Sequence, residues 1–251
     1  MLVRVLLAAI FAGVAAGIFA TAVQSYRVIP LILQAETYED TDTAAHDHSA
    51  HDHVASEAAG QEDAAGAAHD HGEAWTPANG VERTFYTALA NVVVGVAFSL
   101  LLLAGILVSN QAISLRSGLV WGAAGFVVFV LAPNFGLPPE LPGMATGELV
   151  PRQIWWLATV AMTAAGLALF TFQRSIAFMV LGIALIVGPH LYGAPQPASH
   201  ASAVPANLAA EFAVATIVAS LLFWLFLGGL LGSVLARVMQ KDLREDGPAS
   251  A

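Results

Sequence analysis

Histidine and aspartate are concentrated in one short stretch of the chain, HDHSAHDH at positions 46–53. Four of the chain's eight histidines fall in this stretch, and a further HDH follows at 69–71. Imidazole nitrogens bind divalent metals of the series from iron to zinc, and carboxylates supply additional oxygen ligands. The candidate metal ligands of this segment are His46, His48, His51, His53, His69, His71, Asp47 and Asp52. The pattern predicts metal binding, and a solvated linker that contains histidine is the alternative.

The sequence leaves the identity of the metal open. A flexible set of ligands follows intrinsic affinity, which places copper, nickel and zinc above cobalt. Only the neutral imidazole is a ligand, so binding by this segment should weaken as the pH falls through about 6.5.

Other polar residues interrupt or flank apolar stretches. His190 follows Pro189 in GPHLYGAPQP (188–197). An ionisable residue at membrane depth is by default a functional candidate, and a histidine hydrogen-bonded at the membrane interface is the alternative.

Asn91 shares a helical face with Thr84 and Thr87, and this face would either line a hydrophilic path or bond to a neighbouring helix. The candidates for an ion pathway are Asn91, Asn134, Glu140 and Glu211.

Several classes of protein are disfavoured. The chain has no cysteine, which excludes disulfides and cysteine-based zinc sites. Its net charge of −9 is unsuited to nucleic acid, which requires a cationic surface. No Walker-type phosphate loop and no HExxH or GxSxG motif is present. We therefore expect no enzymatic activity.

Long apolar stretches predict an all-α polytopic membrane protein. The mean hydropathy is +0.72 and 11% of the residues are charged, whereas soluble domains have roughly 25% charged residues. A helix of ~20 apolar residues crosses the ~30 Å hydrocarbon core of a bilayer. We expect about six transmembrane helices, or five if the first is a secretory signal that is cleaved. The six stretches are 2–23, 86–108, 118–132, 154–172, 176–192 and 208–238.

We divide the chain into four segments. Residues 1–35 are the first transmembrane helix and its outer extension, 36–83 a His/Asp-rich loop, 84–238 a bundle of five transmembrane helices, and 239–251 a tail. The loop has almost no large aliphatic residues, so we expect it to be largely disordered unless a ligand orders it.

The distribution of basic residues predicts the orientation. Of the nine Lys and Arg residues, one side of the six spans holds all but Arg27, Arg83 and Arg152. The positive-inside rule therefore puts both termini in the cytoplasm and the His/Asp-rich loop outside.

Proline and glycine mark two further features of the spans. The third and fifth spans run into proline-rich sequence, APNFGLPPELPG (132–143) and GPHLYGAPQP, on the same predicted side as the loop. In lipid, a broken helix is tolerated only against protein or a water-filled cavity. Each break is therefore an ordinary loop or part of a pathway. Small-residue pairs spaced for close helix packing occur at Gly13 and Gly17, Gly118 and Gly122, and Gly228 and Gly232.

Together these motifs resemble the CbtA family, the larger subunit of a proposed bacterial cobalt transporter. The resemblance covers nearly the whole chain in order. It implies a bacterial inner-membrane protein that supplies cobalt for cobalamin synthesis with CbtB, a small single-helix subunit containing histidines. The candidate functional residues that match the family by position are His190, Glu140 and the HDH histidines. The matching segments are the first helix as far as Pro30, the HDH-bearing loop, GVERTFYTALANV (80–92), APNFGLPPELPG, PRQIWW (151–156), GPHLYGAPQP and the closing apolar span.

The sequence thus predicts the membrane subunit of an uptake transporter for a divalent metal, with cobalt first and nickel or zinc as further candidates. In this hypothesis the loop collects ions and passes them to a path near the broken helices. Membrane lipid and the CbtB-like subunit are the expected partners, with no role for nucleic acid. The competing hypothesis is a non-transporting membrane protein that binds, senses or buffers metal at the extracytoplasmic face.

Overall fold

A computed structural model describes residues 2–38, 77–78, 80–199 and 202–245. These residues form helices and connecting loops with no strand among them, so the all-α prediction is confirmed. The helices are α1 (Leu2–Arg27), α2 (residues 29–38), α3 (Val81–Ser109), α4 (Leu115–Asn134), α5 (Leu149–Phe172), α6 (Ile176–Tyr192) and α7 (Ala206–Glu245).

Five of these helices, namely α1, α3, α4, α5 and α7, are long and apolar enough to cross a membrane. The remaining predicted span, the fifth in chain order, is α6, which has 17 residues and a length of ~26 Å, slightly less than the ~30 Å hydrocarbon core. Many large apolar side chains, such as those of Leu101, Val180 and Ile183, point away from the protein and remain exposed. Such a surface suits contact with lipid, and the chain is therefore a polytopic membrane protein.

Glycine allows two helix pairs to approach closely. A Cβ atom on Gly13 or Gly17 of α1 would lie 2.5 Å from backbone atoms of α3. The backbones of α4 and α7 meet in the same way, with Gly118 and Gly122 against Gly228 and Gly232. The glycine spacing therefore predicted packing contacts correctly, because only a residue without a Cβ leaves room for this separation.

Aromatic and aliphatic side chains fill the centre of this four-helix unit. Trp224 of α7 is 1% exposed, and its ring lies 4.7 Å from that of Phe98 and 5.6 Å from that of Phe129. Ser99 is also buried and donates a hydrogen bond of 2.7 Å to the carbonyl of Ala9. The helices α1, α3, α4 and α7 thus form one packed bundle.

The other two helices form a hairpin beside this bundle. Gly166 of α5 and Gly182 of α6 face each other, and a Cβ on Gly166 would lie 2.7 Å from the carbonyl oxygen of Gly182. The hairpin contacts the bundle mainly through the second half of α4. That half contains a π-helical stretch, Val127–Leu131, followed by Pro133.

One end of the protein brings together four parts of the chain. An apolar cluster joins α2, the loop after α4 and the start of α7 through Leu31, Leu141 and Leu208. The same end contains the last turn of α1, where Arg27 pairs with Glu211 of α7 at 2.9 Å. We call it the loop end, because the undescribed segment 39–76 is attached there.

Candidate metal pathway

A cavity of about 590 Å³ lies at the loop end, between the second half of α4 and the α5–α6 hairpin. Its wall is largely apolar, with polar side chains at a few positions. Such a composition, with convergent polar groups in a mostly apolar cleft, is typical of a binding site. We call this the His190 cavity; its lining residues are Val127, Leu131, Ala132, Phe135, Gly136, Trp155, Thr163, Ile186, Val187, His190, Ala194 and Gln196.

His190 lies in the last turn of α6, half-buried between two aromatic rings. Its ring centroid is 5.8 Å from that of Trp155 and 6.1 Å from that of Phe135, and both rings meet it nearly edge to face. This packing restricts the orientation of the imidazole at the cavity wall. A fixed orientation is what a metal-ligand position requires.

Pro189 and Gly193 shape the last turn of α6 and its end. Pro189 has no N–H, so it cannot donate to the carbonyl one turn before it. Its own carbonyl accepts a hydrogen bond of 3.1 Å from the indole N–H of Trp155. Gly193 then adopts a φ of +90°, a conformation that L side chains rarely adopt. The end of α6 is therefore attached to α5 by a buried hydrogen bond.

The facing wall is also irregular. In the π-helical stretch of α4 the N–H of Ala132 donates to the carbonyl of Val127, one residue further back than in an α-helix. Such single π-helical turns often occur at functional sites. The predicted break at APNFGLPPELPG thus begins inside the helix, since α4 continues through Pro133 to Asn134.

The predicted loop ligands lie outside the described residues. These are His46, His48, His51, His53, His69, His71, Asp47 and Asp52. Among the described part of the chain, no group of three or more His, Asp or Glu side chains is arranged to hold a metal ion.

The other predicted pathway residues are distributed around the loop end. Asn91 donates hydrogen bonds to Thr21 Oγ1 and Gln24 Oε1 of α1, at 3.1 and 2.8 Å. Of the two alternatives for this residue, a hydrophilic path or a bond to a neighbouring helix, the structure shows the second. Asn134 is half-buried in the last turn of α4. Of the predicted residues, His190 is the one that lines the His190 cavity.

Every arginine predicted to lie outside pairs with a glutamate. Arg83 binds both carboxylate oxygens of Glu36, at 2.6 and 3.2 Å. Arg152 pairs with Glu140 at 2.6 Å, and Arg27 with Glu211. Each of these three positive charges is therefore compensated by a carboxylate. The pair of Glu36 and Arg83 also holds together the two flanks of the undescribed segment.

The ion pair of Glu140 and Arg152 can be tested by charge exchange. Both side chains are about one-fifth exposed, so we expect Glu140→Arg or Arg152→Glu alone to lower the free energy of unfolding by about 1 kcal/mol or more. The double exchange should restore most of the loss, as judged by the thermal midpoint in detergent. Glu148→Gln, which removes a neighbouring carboxylate, serves as the control. Equal losses in the single and double variants would show that the pair does not stabilise this end.

A larger groove of about 840 Å³ lies between α1 and α7. Its lining is apolar apart from Tyr26, Arg27 and Glu211, and the two charged residues neutralise each other. Among the described residues, the groove therefore offers no uncompensated charge or imidazole to an ion.

Three features of the site were not singled out from the sequence. Trp155 lies within PRQIWW, but its partner Pro189 is 34 positions away and only the fold brings them together. Thr159 and Thr163 are polar residues spaced four apart in the apolar middle of α5, and this spacing is a signal that marks one face of the helix.

Comparison with known proteins shows what the whole chain is similar to. A family model described as a probable cobalt transporter subunit (CbtA) matches residues 2–236. Among curated proteins and among solved structures there is no match.

Proposed function

Because the chain belongs to the CbtA family of probable cobalt transporter subunits, we propose that it conducts cobalt(II) inward across the bacterial cytoplasmic membrane. Nickel and zinc are secondary candidates, since imidazole binds both. The observation that carries this proposal is the position of His190, which lines a cavity at the same end of the bundle to which the histidine-rich segment is attached.

In the proposed mechanism the two histidine sites have different tasks. The loop outside the membrane binds ions weakly and raises their concentration at the mouth. His190 then takes an ion into the cavity between α4 and the α5–α6 hairpin. Each arginine at the loop end is paired with a glutamate, so the proposed route has no uncompensated arginine among its described residues.

The proposed orientation has both termini in the cytoplasm, as the distribution of Lys and Arg favours. A membrane potential that is negative inside then favours the inward movement of a divalent cation by ~4.6 kcal/mol per 100 mV, twice the value for a single charge. No nucleotide-binding motif is required. The partner subunit that we propose is a small, single-helix, histidine-containing membrane protein of the CbtB type.

The function is tested by the accumulation of cobalt and nickel in cells that express the chain with and without such a partner. We expect cobalt to accumulate several-fold above the control strain when both are present, as measured by elemental analysis. Unchanged accumulation in both strains, with the protein shown to be in the membrane, would contradict transport. Metal binding by the purified protein in that case would favour the alternative, a sensor or buffer.

A further inference from the structure

Thr163 of α5 has a buried hydroxyl group without a partner. The residue is 0% exposed, and its Oγ1 has no hydrogen-bond partner among the described residues. Thr159, one turn earlier and equally buried, donates to the carbonyl of Trp155 at 2.9 Å. A buried polar atom that lacks a partner is uncommon, because its desolvation is not compensated.

Thr163 lies near the middle of α5, which extends over Leu149–Phe172. It lines the His190 cavity. Trp155 lines the same cavity eight residues earlier, about 12 Å along the helix axis. The cavity therefore reaches from the loop end to about the middle of α5, with Thr163 at its inner end.

A second cavity of about 230 Å³ begins where the first one ends. It lies between α3, α4 and α5 and extends to Gln111 and Thr171, toward the opposite end of the bundle. Residues that are adjacent in the sequence line different cavities. Val127 and Thr163 line the first, whereas the next residues, Val128 and Ala164, line the second. Val127, Val128, Thr163 and Ala164 are therefore adjacent residues that border the two cavities, and we call them the dividing layer.

We propose that Thr163 is a binding position for the divalent cation as it crosses this layer. The inference rests on the proposed function and names a residue of the path. The hydroxyl oxygen would replace one water of a partly hydrated ion. A neutral ligand suits this step, since conduction requires binding that is weak enough for release. Among these four described residues Val127, Val128 and Ala164 are apolar, so Thr163 supplies the polar side-chain atom of the layer.

Removal of the hydroxyl should affect transport more than folding. Thr163→Val keeps the shape of the side chain and removes no hydrogen bond, so the protein should remain as abundant and as heat-stable as the parent. We expect its maximal rate of cobalt uptake to fall at least about fivefold, whereas Thr163→Ser, which keeps the oxygen, stays within about twofold. Thr216→Val is the matched control, because Thr216 Oγ1 is also buried and unpartnered but lines neither cavity. Uptake by Thr163→Val at the parent rate would overturn the inference.

A second measurement does not depend on transport. The chain has no cysteine, so Thr163→Cys introduces a single thiol. We expect a small, permanently cationic methanethiosulfonate added from the extracytoplasmic side to label it, and Co²⁺ to slow the labelling several-fold. Thr159→Cys, which is equally buried but lines neither cavity, should stay unlabelled. If the parent protein takes up no cobalt, the proposed function fails, and labelling then decides the inference by itself. A Thr163→Cys thiol that is unreactive, or reacts equally with and without Co²⁺, overturns it.

Discussion

Replacement of His190 by alanine should lower cobalt uptake about tenfold or more at every metal concentration, a loss equivalent to about 1.4 kcal/mol in the barrier. His190 is the imidazole that lines the His190 cavity, held between the rings of Trp155 and Phe135. A ligand inside the path acts on every ion that crosses, so excess metal cannot compensate for its loss. The measurement is the initial rate of uptake over a range of cobalt concentrations.

Deletion of residues 44–72 provides the contrast. If the loop collects ions, its removal should reduce uptake at low cobalt and leave the maximal rate nearly unchanged. Leu191→Ala is the control for the site, because Leu191 follows His190 but is 82% exposed. Abolition of uptake by the deletion even at saturating cobalt would show that the loop is part of the path. Uptake by His190→Ala at the rate of the parent protein would show that His190 is not part of the path.

The largest effect on stability is expected from Gly228→Val. A Cβ at this position would lie within 2.8 Å of Gly122 backbone atoms and closer still to the carbonyl oxygen of Gly118. The helices α4 and α7 would have to separate, and overpacking of this kind costs about 1–3 kcal/mol or more. We expect the thermal midpoint in detergent to fall by several degrees, with less protein in the membrane.

The adjacent glycine is the control. A Cβ on Gly229 would meet the side chain of Leu119 at 3.1 Å rather than the backbone. A side chain can move where a helix backbone cannot, so Gly229→Ala should change the midpoint by a small fraction of the Gly228 effect. Similar losses in both variants would mean that the close contact between α4 and α7 does not determine stability.

The spans themselves follow from local sequence. In a membrane, backbone groups must bond within the helix, so an apolar stretch of sufficient length is a helix wherever it occurs. For this reason the bounds predicted for α6, 176–192, agree with the structure. The helix α4 differs because it continues through Pro133, where a π-helical stretch accommodates the residue that lacks an N–H.

The glycine pairs show the limit of such reasoning. Their spacing predicts close packing, because small residues repeated at four-residue intervals leave a flat surface on one side of a helix. The spacing does not say which helix lies against that surface. The structure places Gly118 and Gly122 against α7, and Gly13 and Gly17 against α3.

The sequence by itself therefore determined the class of protein and the helices, since these depend on composition and short-range pattern. The roles of individual polar residues depended on tertiary structure. Asn91, Glu140 and Glu211 have amide or carboxylate groups of the kind that bind metal ions. In the structure, however, each of these side chains bonds to a partner elsewhere in the chain. Thr163 has no such partner among the described residues. Whether a polar group is paired or available is decided by which helices become neighbours, and that is a property of the packed bundle.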